Sequence, residues 1–172
     1  MTTTHPTDFT RAGLEHAGFQ GFVPLLDLDP TLVPREHGVY VVVREHGARP
    51  AYLEESPAGK RIDLTVPIAD LESGWLDGAI VVYIGKAGGK RAHLRTRLRA
   101  YSRSGQGLVD NHRGGRRIWQ LADHTQLLVA WLPTPGEDAE EVERGLIGQF
   151  VDACGATPFA NRTRGTRRRT PR

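Results

Sequence analysis

Two charged residues fall where helical periodicity puts apolar side chains. In residues 91–101, Leu94, Leu98 and Tyr101 share one side of a helix turning about 100° per residue. Arg97 flanks that side, within roughly 60° of Leu94 and Tyr101. Glu143 lies inside the stripe of Val142, Leu146, Ile147, Phe150, Val151 and Cys154 on a later helix, about 20–60° from its nearest apolar neighbours. A guanidinium stays charged and is costly to desolvate alone. A carboxylate turned toward a core must be neutral, paired or bound to a metal. Either the two charges are simply partners, or they are working groups. With Tyr40 and Tyr83 they suit phosphodiester hydrolysis. A divalent cation on the carboxylate polarises a phosphoryl oxygen, and the guanidinium neutralises charge developing on the phosphate. A tyrosine whose pKa is lowered by nearby cations can help to deprotonate water. His112, set among Arg113, Arg116 and Arg117, either holds a phosphate or moves a proton, or is merely exposed.

Short elements must hold these groups. Residues 38–43 and 79–84 are β-branched runs that read as strands, the second stopped by Gly85. A glycine-rich turn (85–90) leads into the arginine-bearing helix (91–101). That turn lacks the spacing and the Ser/Thr of a nucleotide-binding loop. Its backbone either approaches a phosphate at the helix start or is a plain turn. Residues 8–17 predict a short helix with Asp8 as N-cap, and 19–28 an extended segment broken by Gly21 and Pro24. Residues 44–78 predict a hairpin from 51–54 and the alternating Ile62, Leu64 and Val66, then a short helix at 68–75. Residues 102–117 read as a glycine-rich mobile stretch and 118–121 as a helical turn. Residues 125–132 predict a further strand and 137–153 the last long helix. The fold class is α/β (α+β): a small, largely antiparallel sheet with a three-stranded core flanked by helices.

Gly38-Val39-Tyr40 and Tyr83-Ile84-Gly85, followed in order by Arg97, Glu143 and Asn161, resemble the signatures of the GIY-YIG nuclease family, over roughly residues 38–161. The resemblance implies a metal-dependent endonuclease with Glu143 as ligand of Mg²⁺ (or Mn²⁺) and Arg97 as phosphate stabiliser. Tyr40 becomes general base or water positioner and Tyr83 its hydrogen-bonding partner. Lys86, next to the second signature, is placed to lower a tyrosine pKa. Gly38, Gly85 and Asn161 support the site. Relatives with a histidine four residues beyond the helix arginine contrast with Tyr101 here, and the insertion at 44–78 departs from the simpler members.

Charge supplies the partner. The chain has 172 residues and a net charge of +3. Residues 90–117 carry nine Lys/Arg against Asp110, and 162–172 carry six arginines and no acid, so these stretches hold +14 and the remainder −11. Such a block is a footprint for a polyanion, nucleic acid first, and the resemblance implies DNA over RNA. Arg91, Arg95, Arg99, Arg113, Arg116 and Arg117 are the candidate phosphate contacts. A non-catalytic nucleic-acid-binding module and a dock for an acidic protein are the rival readings. One cysteine excludes an internal disulfide. No apolar run is long enough to span a membrane, so a cytoplasmic protein is expected: one domain over 8–161, with disordered residues 1–7 and a basic disordered tail at 162–172.

Overall fold

Burial on both faces organises the fold around one strand. The computed structural model describes residues 6, 8–59, 63–89, 92–108 and 114–161. Strand β2 (Gly38–Val43) is buried at every position, as a β-branched run covered on both faces must be. It lies inside a four-stranded antiparallel sheet of order β1-β4-β2-β3, with β1 at Gln20–Pro24, β3 at Val81–Ala87 and β4 at Leu128–Pro133. The fold is α+β, with helices on both faces of this sheet. β1 is the strand that the sequence shows only as an extended segment. Gly21 and Pro24 disguise it, and its pairing with β4 shifts register between Gly21 and Val23, a bulge that blurs the period-2 pattern.

The two faces of β2 define two cores. Val39, Val41 and Val43 pack with Leu14 of α1 (Arg11–His16) and with Leu146, Ile147 and Phe150 of α4 (Ala139–Cys154). Tyr40 and Val42 pack with Tyr83, Trp119 and Leu94, Leu98 and Tyr101 of α3 (Leu94–Gly105). Each fully buried leucine contributes about 1.5–3 kcal/mol. Among the described residues no helix is long and apolar enough to cross a membrane.

Local chemistry moved several boundaries. The first helix is capped by Thr10, whose side chain accepts from Gly13 N–H, and not by Asp8, which accepts from Thr10. Helix α3 begins at Leu94, where His93 and Thr96 form a reciprocal capping box, and it runs on to Gly105 through part of the stretch that composition marks as mobile. Apolar contact holds that extension, for Tyr101 is wholly buried and Gly105 lies against the Trp119 ring.

The insertion forms no hairpin among its described residues. Helix α2 (Ile68–Gly74) is present as expected. Residues 51–54 give only an isolated bridge, Tyr52 to Leu121. Leu64 and Val66 are buried, as their alternation implies, but Val66 N–H donates to the Gln120 side chain at 2.6 Å. The buried Gln120 amide donates in turn to Val66 O at 3.0 Å and Leu53 O at 3.2 Å. One side-chain amide thus satisfies the backbone that a partner strand would have satisfied. Arg44, 4% exposed, ties the start of the insertion to Asp123 at 2.8 Å. Ile62, most of residues 1–7 and all of 162–172 lie outside the described residues; Pro6 is buried.

Candidate active site

Register puts Tyr40 and Tyr83 together. Tyr40 stands opposite Gly85 and Val42 opposite Tyr83, and directly opposed residues share a sheet face. The Tyr40 and Tyr83 rings lie 6.0 Å apart, and Tyr101 from α3 closes a triangle at 6.1 and 5.8 Å. Tyr101 donates to Gly115 O at 3.0 Å and forms a packed wall beside the other two rings.

The glycines here are spatial requirements. A Cβ on Gly85 would come within 2.5 Å of Tyr40 Cζ and 2.9 Å of Tyr83 Cε1. One on Gly38 would meet the Leu132 carbonyl of the neighbouring strand at 2.2 Å. Gly115, at φ +65°, lies against both the Tyr101 hydroxyl and the Tyr83 ring, and sequence reasoning did not single it out.

Arg97 is half-buried on the tyrosine side of α3, as the helical angle predicts. It is close enough to draw the Tyr40 pKa downward by its charge and as a hydrogen-bonding neighbour. The pair nevertheless falls short of a formed hydrogen bond: among the described residues Tyr40 Oη and Arg97 Nε are buried without partners. Each such atom costs about 1–3 kcal/mol.

Helix α4 packs on the other face of the sheet, so Glu143 approaches from beyond edge strand β3. Its side chain is 21% exposed, and Lys86 Nζ of β3 lies 4.0 Å from its Oε2. Lys86 bonds Glu140 more closely, at 2.7 Å. Glu140 had no place in the sequence reading, although its spacing of three residues from Glu143 puts both on one helix side. Burial raises the Glu143 pKa; Lys86 opposes the rise, Glu140 reinforces it and Arg97 opposes it. Glu143 also raises the Tyr83 pKa, second only to burial.

Burial overrides the expected tyrosine chemistry. No tyrosine pKa is lowered overall. Burial pushes Tyr40 and Tyr101 well above the usual phenol value and Tyr83 up to about 12, with Arg97 only partly opposing. Lys86 has no part in those shifts, because it sits against the α4 carboxylates. Asn161 is tied to β3, the strand that carries Tyr83. Its side chain accepts from Ile84 N–H at 2.9 Å and donates to Ile84 O at 2.8 Å, pairing with the open edge of β3 as another strand would.

The arginines divide. Arg99 is exposed. Arg95 donates to the carbonyls of Val33 at 2.7 Å and Thr31 at 3.3 Å, a bracing role that helical periodicity does not reveal. Arg117 reaches Asp70 O in α2 at 3.5 Å. Arg116 is half-buried. Arg91, His112 and Arg113 lie outside the described residues.

Among the described residues there is no cluster of three metal-ligating side chains. The donors at the site are Glu143, with Glu140 beside Lys86. One or two carboxylates are what a magnesium-type ion takes from a protein when water and substrate phosphate complete its shell, and a carboxylate whose charge is penalised by burial gains from an added cation. The residues present fit such an ion. No family model, curated protein or solved structure matches the chain.

Proposed function

We propose that the chain is a divalent-cation-dependent endonuclease that hydrolyses DNA phosphodiester bonds at the Tyr40–Tyr83–Arg97–Glu143 cluster, acting in the cytoplasm. The observation that carries this reading is the pair of buried, unpartnered groups, Tyr40 Oη and Arg97 Nε, close to a partly buried carboxylate. A phosphate oxygen or its attacking water would satisfy both, and a fold does not keep such atoms orphaned without cost.

In this reading Arg97 grips the phosphate and stabilises its developing charge. Tyr40 and Tyr83, kept protonated by burial, act as hydrogen-bond donors that orient water and phosphate; the direction of their pKa values favours positioning over proton removal by Tyr40. Glu143 would hold Mg²⁺ or Mn²⁺, which when bound supplies Lewis-acid stabilisation of the phosphoryl and leaving oxygens. Lys86 neutralises Glu140, Asn161 fixes β3, and exposed cations such as Arg99 contact phosphates without reading bases.

The test is cleavage of plasmid, branched DNA and RNA with Mg²⁺ and with chelator. Glu143→Gln keeps size but removes the charge a hard cation needs. Arg97→Lys removes the guanidinium fork. Both are expected to lose about 10²-fold or more in rate while still binding DNA. A folded Glu143→Gln protein that cuts at the wild-type rate refutes the metal assignment. Wild-type protein that binds DNA but cuts nothing leaves the binding module in its place.

A further inference from the structure

A cleft of about 200 Å³ opens on the outer side of α3, lined by Thr31, Arg35, His93, Arg95 and Arg99 among others. We infer that this cleft is a second phosphate subsite, which holds a non-scissile backbone phosphate of the nucleic-acid strand. The identity of the polymer rests on the nuclease reading above; the anion chemistry rests on the cleft.

Three guanidiniums from two separate segments converge there. Arg95 is pre-organised, its Nε and one Nη already bound to the Val33 and Thr31 carbonyls, so little freedom is lost when its remaining N–H groups take a ligand. Arg35 and Arg99 are exposed, and no hydrogen bond or ion pair occupies either among the described residues. The His93 ring accepts from Thr96 N–H through Nδ1 at 3.2 Å, which leaves Nε2 as the donor nitrogen in the neutral ring. The acid beside Arg95 is Asp29, and its carboxylate is already bonded to the Thr31 N–H and hydroxyl.

The helix terminus is not the source of the attraction. The Leu94 and Arg95 N–H groups donate to Glu36 O and Pro34 O, Thr96 N–H to His93, and Arg97 N–H to His93 O. Side chains alone supply the site, and arginine forks suit phosphate oxygens better than any other cation.

Its position relative to Arg97 gives the subsite a purpose. Arg97 faces the tyrosines, and Arg95 and Arg99, four residues apart, share the outer side of the same helix. A helix with its side chains is about 10–12 Å across, roughly three nucleotide steps at a rise of 3.4 Å per step. A strand gripped in the cleft would therefore lie across α3, with a phosphate a few nucleotides away delivered to the reacting groups.

Arg35→Ala/Arg99→Ala tests this, since neither side chain braces the fold. Binding of a short DNA duplex in chelator, followed by fluorescence anisotropy over a salt series, is expected to weaken about tenfold, with the salt slope reduced by about 1. Arg11→Ala, remote from the cleft, is expected to change neither. Inorganic phosphate is expected to shift the His93 ring signals by NMR in wild type and not in the double variant. If the protein cleaves DNA, KM rises with kcat retained. If wild type never cuts but the binding loss and the His93 shift appear, the subsite stands and only the nuclease reading falls. Unchanged affinity and slope in the double variant overturn the subsite, whether or not wild type cuts. Unchanged DNA binding with lost affinity for polyglutamate overturns it in favour of protein docking.

Discussion

Replacing Gly85 by alanine tests the arrangement of the tyrosines without removing a polar group. The new Cβ would lie 2.5 Å from Tyr40 Cζ, 2.6 Å from its hydroxyl and 2.9 Å from Tyr83 Cε1, where ordinary contact begins at 3.4 Å. The Tyr40 ring must therefore retreat by roughly 1 Å, and it is wholly buried between Tyr83 and Tyr101. Overpacking of this kind costs about 1–3 kcal/mol, or a Tm lower by about 2–12 °C for a chain of this size. Gly85 has no left-handed φ, so alanine by itself would stabilise by about 0.4–1 kcal/mol through the unfolded state. The sign of the effect thus depends on Tyr40. In a Tyr40→Leu background Gly85→Ala is expected to be neutral or stabilising, and in wild type destabilising. Urea unfolding of the four proteins yields the coupling directly. A cleavage assay, if the nuclease reading holds, is expected to show about a 10²-fold loss for the single variant, the usual effect of misplacing reacting groups by about 1 Å. Equal effects of Gly85→Ala in both backgrounds would refute the packing argument, and with it the reason for glycine at this position.

Asn161→Ala removes two hydrogen bonds to Ile84 and is expected to cost about 1–3 kcal/mol, with faster hydrogen exchange at the Ile84 amide; unchanged exchange there would show that the edge is held by something else. Tyr40, Tyr83 and Tyr101 all have pKa values raised above 10.0 by burial. The unfolded chain therefore sheds phenolic protons that the folded one keeps once the pH passes 10, so their stabilising contribution is full below that pH and falls as pH rises toward about 12 for Tyr83. Phenolate absorbance is expected to appear together with alkaline unfolding, and a tyrosine ionising in the folded protein below pH 10 would contradict the burial argument.

The parts of the fold legible in the sequence are those governed by local period. Gly38–Val43 is a strand with the expected bounds and Arg97 sits half-buried on the expected side of α3; Glu143, expected inside the α4 stripe, is partly buried, with its side chain 21% exposed. Features set by distant partners were not legible. Arg95 has the same helical phase as a solvated arginine, and only the turn at Pro30–Leu32, more than sixty residues earlier, makes it a brace. The insertion alternates like a strand, yet its backbone partner is the Gln120 side chain. Tyrosine pKa values reverse the expected direction for a related reason. Sequence counts the cations nearby, whereas burial of three rings against one another outweighs the single guanidinium that reaches them.

The division of labour between the two α4 carboxylates follows from the same competition. Glu140 and Glu143 lie three residues apart and face one lysine. The exposed Glu140 takes the 2.7 Å bond, and Lys86 holds its pKa down. The more buried Glu143 is left at 4.0 Å, and desolvation, with the Glu140 charge beside it, raises its pKa. A cation arriving here would gain least at the carboxylate already neutralised and most at the one that burial penalises. The placement also explains why a sheet edge is needed. Helices α3 and α4 pack on opposite faces, and Arg97 and Glu143 bear on one another across β3, the edge strand of the sheet. Asn161 closes that edge at Ile84, and the next residue, Gly85, has no side chain to stand between the tyrosines and the carboxylate. Filling in Asn161, Gly85 or the Lys86–Glu140 pair would each disturb the cluster by a different route: the position of the strand, the position of the rings, or the charge left on Glu143.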